Sequence, residues 1–183
     1  GSSGNYQLTE PYAIIAGINY SAREYESPQL IDGKFFSGSA GVVYQWTELT
    51  SLRLQGTASR YENEARLQIT SDSIGLEAGF NSALTERLTT SFLGGWTTVD
   101  TSYSSQTAAQ VPSDTSNSGY VLNGTLNFEE ERYSLSALIS RRATPSSNGY
   151  LLVSDSLVLA YEYTLSERAN LSLDLQAGHS NAL

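Results

Sequence analysis

The stretch from Phe36 to Ser59 reads FSGSAGVVYQWTELTSLRLQGTAS, and it decides the fold of the chain. Large apolar residues alternate with hydroxyls, amides and glycine both before and after the polar break at Thr47-Glu48. A period of two is typical of a β-strand with one apolar face, and a short polar break between two such strands is typical of a tight turn. The stretch therefore predicts a β-hairpin with one apolar and one polar face.

The tight turn recurs along the chain. Its pattern is an aromatic residue or leucine, a small polar residue and then glutamate, with copies at 9, 47, 85, 130 and 166, spaced by 38, 38, 45 and 36 residues. Short turns that alternate with long loops are typical of an up-and-down antiparallel meander. We expect the turns at one rim of the sheet and the loops at the other. The longer polar loops are predicted at 24–33, 61–65, 102–117 and 144–149.

Nine segments alternate in this way, and helical spacing fits none of them better. We predict an all-β protein, an antiparallel up-and-down transmembrane β-barrel with about nine to ten strands, as a single domain over residues 1–183. Residues 66–72 break the phase of the strand after them, which predicts a β-bulge or a loop extension. The predicted strands are 12–23, 36–46, 51–59, 73–80, 88–98, 120–128, 133–142, 156–163 and 169–178.

Composition excludes several kinds of protein. The net charge of −9 argues against a partner made of nucleic acid, which a basic surface would bind. The chain has no cysteine and a single histidine, His179, so thiolate and multi-histidine metal sites cannot be built. No apolar run approaches the roughly 18 residues of a membrane helix, whereas membrane strands need apolar residues only at every second position. We expect no metal and no cofactor.

Aromatic residues mark both ends of the apolar face, and aliphatic residues fill the band between them. This arrangement is typical of a barrel wall that faces lipid, because tyrosine and tryptophan rings are apolar while their polar atoms need water or headgroups. The alternative is an ordinary β core. Midway along the strands, we expect Ile14, Val42, Leu54, Leu76, Leu122, Leu159 and Leu173 to face lipid. The predicted lipid-facing aromatic girdle is Tyr12, Tyr20, Tyr44, Trp46, Phe80, Trp96, Tyr120, Phe128, Tyr133, Tyr161 and Tyr163.

The opposite face is rich in serine, threonine, asparagine, glutamine and glycine, with scattered charges. One interpretation is a hydrated lumen whose charges tune selectivity, and the other is a packed interior whose polar groups satisfy one another. Gly41, Gly75, Gly79 and Gly95 favour the lumen, since small inward residues would leave the axis unfilled. The inward charges also form no obvious pairs. The predicted lumen-lining residues are Arg23, Arg53, Gln55, Glu77, Asn123, Arg142, Glu162, Asp174 and Gln176.

The turns Leu84-Thr85-Glu86-Arg87 and Leu165-Ser166-Glu167-Arg168 carry a family resemblance. Nearly the whole chain resembles a Gram-negative outer-membrane β-barrel in its architectural pattern. The two turns are similar to those of porin-type barrels linked to exopolysaccharide export. The resemblance implies a bacterial outer-membrane location, lipid of that membrane as a partner, and passage or export of a solute or polysaccharide. It supplies no catalytic residues, and the chain lacks the terminal aromatic with which such barrels usually end.

Both termini are expected near the long-loop rim, whereas complete outer-membrane barrels have their termini on the short-turn side. We therefore expect a segment of a larger barrel, with a closed ten-stranded barrel as the alternative. The predicted function is not enzymatic: it is an outer-membrane pore or export channel for ions, small solutes or polymer. Two alternatives stay open, a closed non-conducting barrel that acts as an adhesin or anchor through its long loops, and a membrane-embedded enzyme using His179, Asp174 and nearby serines.

Overall fold

The computed structural model describes residues 1–23, 33–63, 67–105, 114–145, 151–166 and 169–182. These residues form one ten-stranded sheet in which each strand is antiparallel to the next and the spatial order is the sequence order. The predicted up-and-down meander is therefore confirmed. The strands are β1 (Ser2–Thr9), β2 (Tyr12–Arg23), β3 (Gly33–Thr47), β4 (Thr50–Asn63), β5 (Leu67–Ala83), β6 (Leu88–Ser105), β7 (Thr115–Glu129), β8 (Tyr133–Pro145), β9 (Leu151–Ser166) and β10 (Ala169–Ala182).

All nine predicted strands are present, and most reach further toward the loop side than the apolar pattern indicated. The strand that the pattern did not predict is β1, which pairs with β2 from Ser2 opposite Ile18 to Thr9 opposite Tyr12. Its sequence has little apolar alternation, so its strand conformation follows from the partner strand beside it. Within the described residues, no helix is long and apolar enough to cross a membrane.

The predicted bulge before Ser73 is wrong. Strand β5 pairs with β6 without a register shift, from Leu67 opposite Ser105 to Ala83 opposite Thr89. Ile69 produced the apparent change of phase, because it lies on the otherwise polar face and is buried there at 5% exposure. A single apolar residue on a polar face thus mimics the sequence signal of a bulge.

Glutamine side chains bond to the backbone in the first two copies of the turn motif. In the first hairpin turn, Gln7 Nε2 donates to the carbonyl oxygens of Thr9 and Glu10 at 2.8 and 2.9 Å. In the second, Gln45 Nε2 donates to the carbonyl oxygen of Thr47 at 2.7 Å. In these two turns, the glutamine two residues before the threonine therefore donates to the turn carbonyls.

The five turns lie at one rim of the sheet, as predicted, because consecutive antiparallel strands must place every second connection at the same end. Thr85 Oγ1 closes the third turn by accepting from the backbone N–H groups of Arg87 and Leu88 at 3.3 and 3.0 Å. The fifth turn includes residues 167–168, which lie outside the described residues, as does much of each predicted long loop.

The sheet has two different faces. Leu54, Leu76 and Ile74 lie on the apolar face, and Leu76 keeps 60% of its surface exposed. Gln55 and Thr97 lie on the polar face and are 8% exposed, although no second sheet of described residues covers them. The sheet therefore curls toward its polar face, which is concave, and its apolar face is convex.

Glycines permit this curl at the places where neighbouring strands approach most closely. A Cβ added at Gly41 would lie 2.7 Å from Gln55 Cβ, and one added at Gly95 would lie 2.7 Å from Glu77 Cα. Such separations are too short for real side chains, so only glycine fits these positions. Close approach of neighbouring strands therefore requires these glycines, and the expectation that they leave the axis unfilled stays a prediction.

The outermost strands are each paired on one side within the described part of the chain, β1 with β2 and β10 with β9. Both are exposed along the residues whose surfaces are described. These residues form an open, curled sheet, which is not the closed ten-stranded alternative.

Candidate pore wall

Three side chains, Arg53, Gln55 and Glu77, form a chain of hydrogen bonds at the centre of the concave face, which we call the central relay. Arg53 Nη2 donates to Gln55 Oε1, and Gln55 Nε2 donates to Glu77 Oε2. The register of β4 and β5 places Gln55 directly opposite Glu77, so a neutral amide joins the positive and the negative side chain. The expectation that Arg53 has no matching charge is wrong, because the match depends on a cross-strand register that the sequence alone does not show.

The other predicted lumen-lining residues are more open. Asn123 is half-buried on β7, while Arg142, Glu162, Asp174 and Gln176 are exposed on β8, β9 and β10. By the alternation of side chains along each strand, all five lie on the concave side of the sheet, which we call the concave phase; the other residues have the convex phase. The structure therefore brings together Arg53, Gln55 and Glu77, and leaves the remaining charges spread over the later strands. The side chain of Arg23 lies outside the described residues.

Hydroxyl groups pair across neighbouring strands of the concave face. Each pair shares one hydrogen bond, in which either hydroxyl can donate and the other accepts. This part of the wall matches the packed-interior interpretation of the polar face, since several of these oxygens are buried. The pairs are Ser59 with Ser73 at 2.7 Å, Ser71 with Thr101 at 3.0 Å, Ser91 with Thr125 at 2.5 Å and Ser140 with Ser156 at 2.7 Å.

Three cavities follow one another along the concave face. The loop-side cavity has a volume of about 500 Å³ and lies over β1 to β5, the middle cavity has about 390 Å³, and the turn-side cavity has about 310 Å³. Thr57 and Ser73 line both the loop-side and the middle cavity. Asn123 lines the middle cavity, and Thr125, two residues further along β7, lines the turn-side cavity. The concave face thus offers polar-lined space from one rim toward the other.

Inward aromatic residues were missed by the sequence analysis. Phe35 and Tyr61 stand opposite each other in the pairing of β3 with β4, and both have the concave phase. Tyr103 has the same phase on β6, opposite the buried Ile69. The sequence does contain a signal for them. In β3, β4 and β6, the apolar face is formed by even-numbered residues, so odd-numbered aromatic residues must point to the polar face if the strands extend toward the loops.

Ten of the eleven predicted girdle residues have the convex phase of their strands, and Trp46 is exposed at the irregularity where the pairing of β3 with β4 shifts register. Near the turn side, Tyr12 contacts Tyr44 with ring centroids 4.9 Å apart, and Tyr133 contacts both Phe128 and Tyr161 at 5.7 and 6.4 Å. Such offset or tilted ring pairs are favourable arrangements. On the loop side, cross-strand pairs join Tyr20 to Phe36 and Trp96 to Tyr120. Contact of these rings with lipid stays a prediction.

The aliphatic band between the two belts is open to the surroundings. Five of its seven predicted members are exposed, and Leu122 and Leu159 are half-buried beside their neighbours. No second layer of protein covers any of the seven among the described residues. The exposed members are Ile14, Val42, Leu54, Leu76 and Leu173.

Two ion pairs lie on the convex face toward the loops. Arg60 donates to both carboxylate oxygens of Asp72 at 2.7 and 2.8 Å. Arg141 lies 3.2 Å from Asp155, and its guanidinium is centred 4.0 Å above the ring of Tyr120. The pairing again depends on cross-strand register, so the sequence pattern did not reveal it.

The structure does not bring together the residues of the hypothetical hydrolase site, His179 and Asp174. His179 lies opposite Asp155 in the convex phase of β10, whereas Asp174 has the concave phase of the same strand. Side chains of opposite phase point to opposite faces of a sheet, so these two residues cannot act on one substrate together.

No known family model matches the chain, and no curated protein matches it. Among solved structures, it is similar to one described as the CymD monoaromatic hydrocarbon channel, with a TM-score of 0.50 and 12% sequence identity. The match covers 98% of this chain and 67% of that chain. At this identity, the similarity is one of fold: the curled antiparallel meander follows the strands of a channel protein.

Proposed function

We propose that this chain forms the wall of an outer-membrane pore, through which ions and small polar solutes pass along the concave face. One observation carries the proposal. The sheet turns large aliphatic and aromatic side chains outward, where no other described part of the chain covers them, and turns hydroxyls, amides and charges inward.

A lipid bilayer accounts for the uncovered convex face. Burial of one Leu, Ile, Val or Phe side chain contributes roughly 1.5–3 kcal/mol, so an exposed band of them is strongly unfavourable in water. Soluble monomers rarely expose contiguous apolar patches of more than a few hundred Å². Lipid chains would cover the band, while the aromatic belts at its edges would meet the headgroups.

The strand architecture favours the bacterial outer membrane. Within a bilayer, every backbone N–H and C=O group needs a protein partner, which strands obtain by pairing in a barrel. Each strand from β2 to β9 has a partner on both sides. Short turns at one rim and long connections at the other are typical of outer-membrane barrels.

The concave face favours polar solutes of low charge. It is lined mainly by hydroxyls and amides, and its central charges, Arg53 and Glu77, neutralise each other through Gln55. Polysaccharide belongs to this class of solute, since its hydroxyls would exchange hydrogen bonds with such a wall. Export of polysaccharide is the more specific form of the proposal.

The experiment is electrical. The full-length protein is reconstituted in planar lipid bilayers, where the open edges of β1 and β10 must find partners for a pore to close, and discrete conductance steps are expected that scale with salt concentration. Circular dichroism on the same sample shows whether the β-sheet has formed, so a failure of folding is distinguished from a closed pore.

A second candidate is the wall of a non-conducting barrel with a packed interior, which would serve as an anchor or adhesin. The observation that favours it is the set of cross-strand hydroxyl pairs, including the buried Ser71 with Thr101, which need no lumen water. A folded, membrane-inserted chain that shows no conductance would support this candidate and contradict the pore.

A further inference from the structure

Strands β7 and β8 separate on the loop side. Their pairing ends at Leu122 opposite Arg141, although β7 begins at Thr115 and β8 continues to Pro145. Strand β8 remains paired with β9 as far as Pro145 opposite Leu151. The last part of the β8–β9 hairpin therefore leaves its place beside β7, and the end of β10 goes with it, since Leu152 to Ser154 stay paired with Ala182 to Ser180. We name residues 142–145 and 151–154 the hairpin end.

The hairpin end packs in an unexpected place. Ala143 and Val153 have the phase of the exposed Ile139 and Leu157, which belong to the convex face. Val153 is nevertheless only 6% exposed, and both residues pack against Val99 of β6.

Val99 belongs to the opposite face of the sheet. It has the phase of Thr97 and Thr101, which are buried on the concave side, and it is itself 2% exposed. Convex-phase residues of one hairpin can cover a concave-phase residue of β6 only if the hairpin lies inside the sheet. The hairpin end is therefore a second, inner layer behind β6 and β7.

We infer that this hairpin end narrows the pore and sets the size of solute that passes, an inference that rests on the proposed pore function. The middle cavity supports this position. It is lined on one side by Thr57 and Glu77 of β4 and β5, and on the other by Arg142 and Thr144 of the hairpin end. Solute that follows the concave face through the middle cavity passes between these residues.

The contact that holds the hairpin end is small, which makes its position testable by substitution. It consists of Val99, Val153 and the half-buried Ala143. If the pairing of β7 with β8 instead continued in its register, Ala143 would stand opposite Tyr120 and the hairpin would lie in the outer wall. The two arrangements predict different neighbours for residue 143 and residue 153.

Paired cysteines distinguish the two arrangements, and the chain has no cysteine of its own. Val99→Cys with Val153→Cys is expected to form a disulfide in the full chain folded into lipid vesicles. Tyr120→Cys with Ala143→Cys is the matched pair for the outer-wall arrangement and is expected to stay reduced. A disulfide in the second pair but not in the first would overturn the inner position of the hairpin end.

Val153→Asp tests the narrowing, because a carboxylate cannot stay against Val99 without a large desolvation cost. We expect a higher single-channel conductance and passage of larger polyethylene glycols than in the unaltered chain. Ser102→Asp is the control, since it adds the same charge to β6 near Val99 but on the exposed convex face, away from the hairpin end. Equal changes in both variants, or a Val153→Asp pore of unaltered size, would contradict the narrowing role.

The outcomes also separate this inference from the proposed function. If the unaltered chain conducts and the outer-wall pair forms a disulfide, the proposed pore function is supported and the inner position of the hairpin end is rejected. A chain that never conducts although the Val99–Val153 disulfide forms rejects the pore and the narrowing role with it.

Discussion

Gln55 is the residue on which the centre of the concave face depends. It is almost fully buried, and its amide uses both its oxygen and its nitrogen, one on Arg53 and one on Glu77. An amide is suited to this position because it can accept from a cation and donate to an anion at the same time. Its residue type was predictable as inward and polar, whereas its bridging role needed the register of β4 with β5.

Replacement of Gln55 by Leu should destabilise the folded chain by about 1–3 kcal/mol, because Arg53 and Glu77 would keep their burial and lose their partner. Urea unfolding in lipid vesicles measures the change. Gln176→Leu is the matched control on the exposed part of the same face and should have little effect. Equal losses in the two variants would show that the relay does not stabilise the fold.

Arg142→Glu tests a charge that is exposed and lines the middle cavity. The reversal potential across a salt gradient should shift toward cations, because a fixed negative charge replaces a positive one beside the path. Folding should be preserved, in contrast to Arg53→Glu, which places a second acid beside the Gln55–Glu77 bond. An unchanged reversal potential in folded Arg142→Glu would place this residue away from the conducting path.

At the scale of elements, the strands were predictable because period-two alternation is a strong signal, and the turns because the same motif recurs. Alternation did not predict the features that depend on contacts between strands. Strand β1 forms against β2 with little apolar pattern of its own, and Ile69 on the polar face imitated a bulge. Cross-strand partners such as Arg141 and Asp155 likewise follow from register, which a single sequence does not encode in any local pattern.

The turn motif yields a prediction of its own. Gln45→Ala should destabilise the second hairpin by about 0.5–1.5 kcal/mol, since the turn loses a side-chain donor to its carbonyl oxygens. Glu48→Ala in the same turn is the control, as Glu48 is exposed. Thermal unfolding of both variants measures the difference, and a larger effect from Glu48→Ala would contradict this account of the motif.

At the scale of the whole molecule, two faces of one sheet divide the chemistry of the chain. The convex face carries the aliphatic band and its aromatic belts, and the concave face carries the hydroxyl pairs, the central relay and the cavities. This division was predictable from alternation alone. The inward position of the hairpin end was not, because it arises where pairing between β7 and β8 stops.

Substitution of arginine on the convex face tests whether this face contacts lipid, through its effect on the free energy of unfolding. Leu76→Arg should destabilise the membrane-inserted protein by about 2–4 kcal/mol, because it places a charge at the middle of the apolar band. Leu84→Arg adds the same charge at the turn rim and should cost only about 0–1 kcal/mol. Unfolding titrations in vesicles give both values, and similar costs at the two positions would contradict a lipid-facing band.

Quenching of single labels along β10 tests the central claim most directly, since this strand is exposed on both faces and the chain has no cysteine. A fluorophore is attached to one introduced cysteine at a time in the chain folded into vesicles. At 171, 173 and 175, brominated lipid should quench it and aqueous iodide should not, while at 172, 174 and 176 the reverse should hold. Iodide quenching at all six positions would contradict a wall between lipid and water.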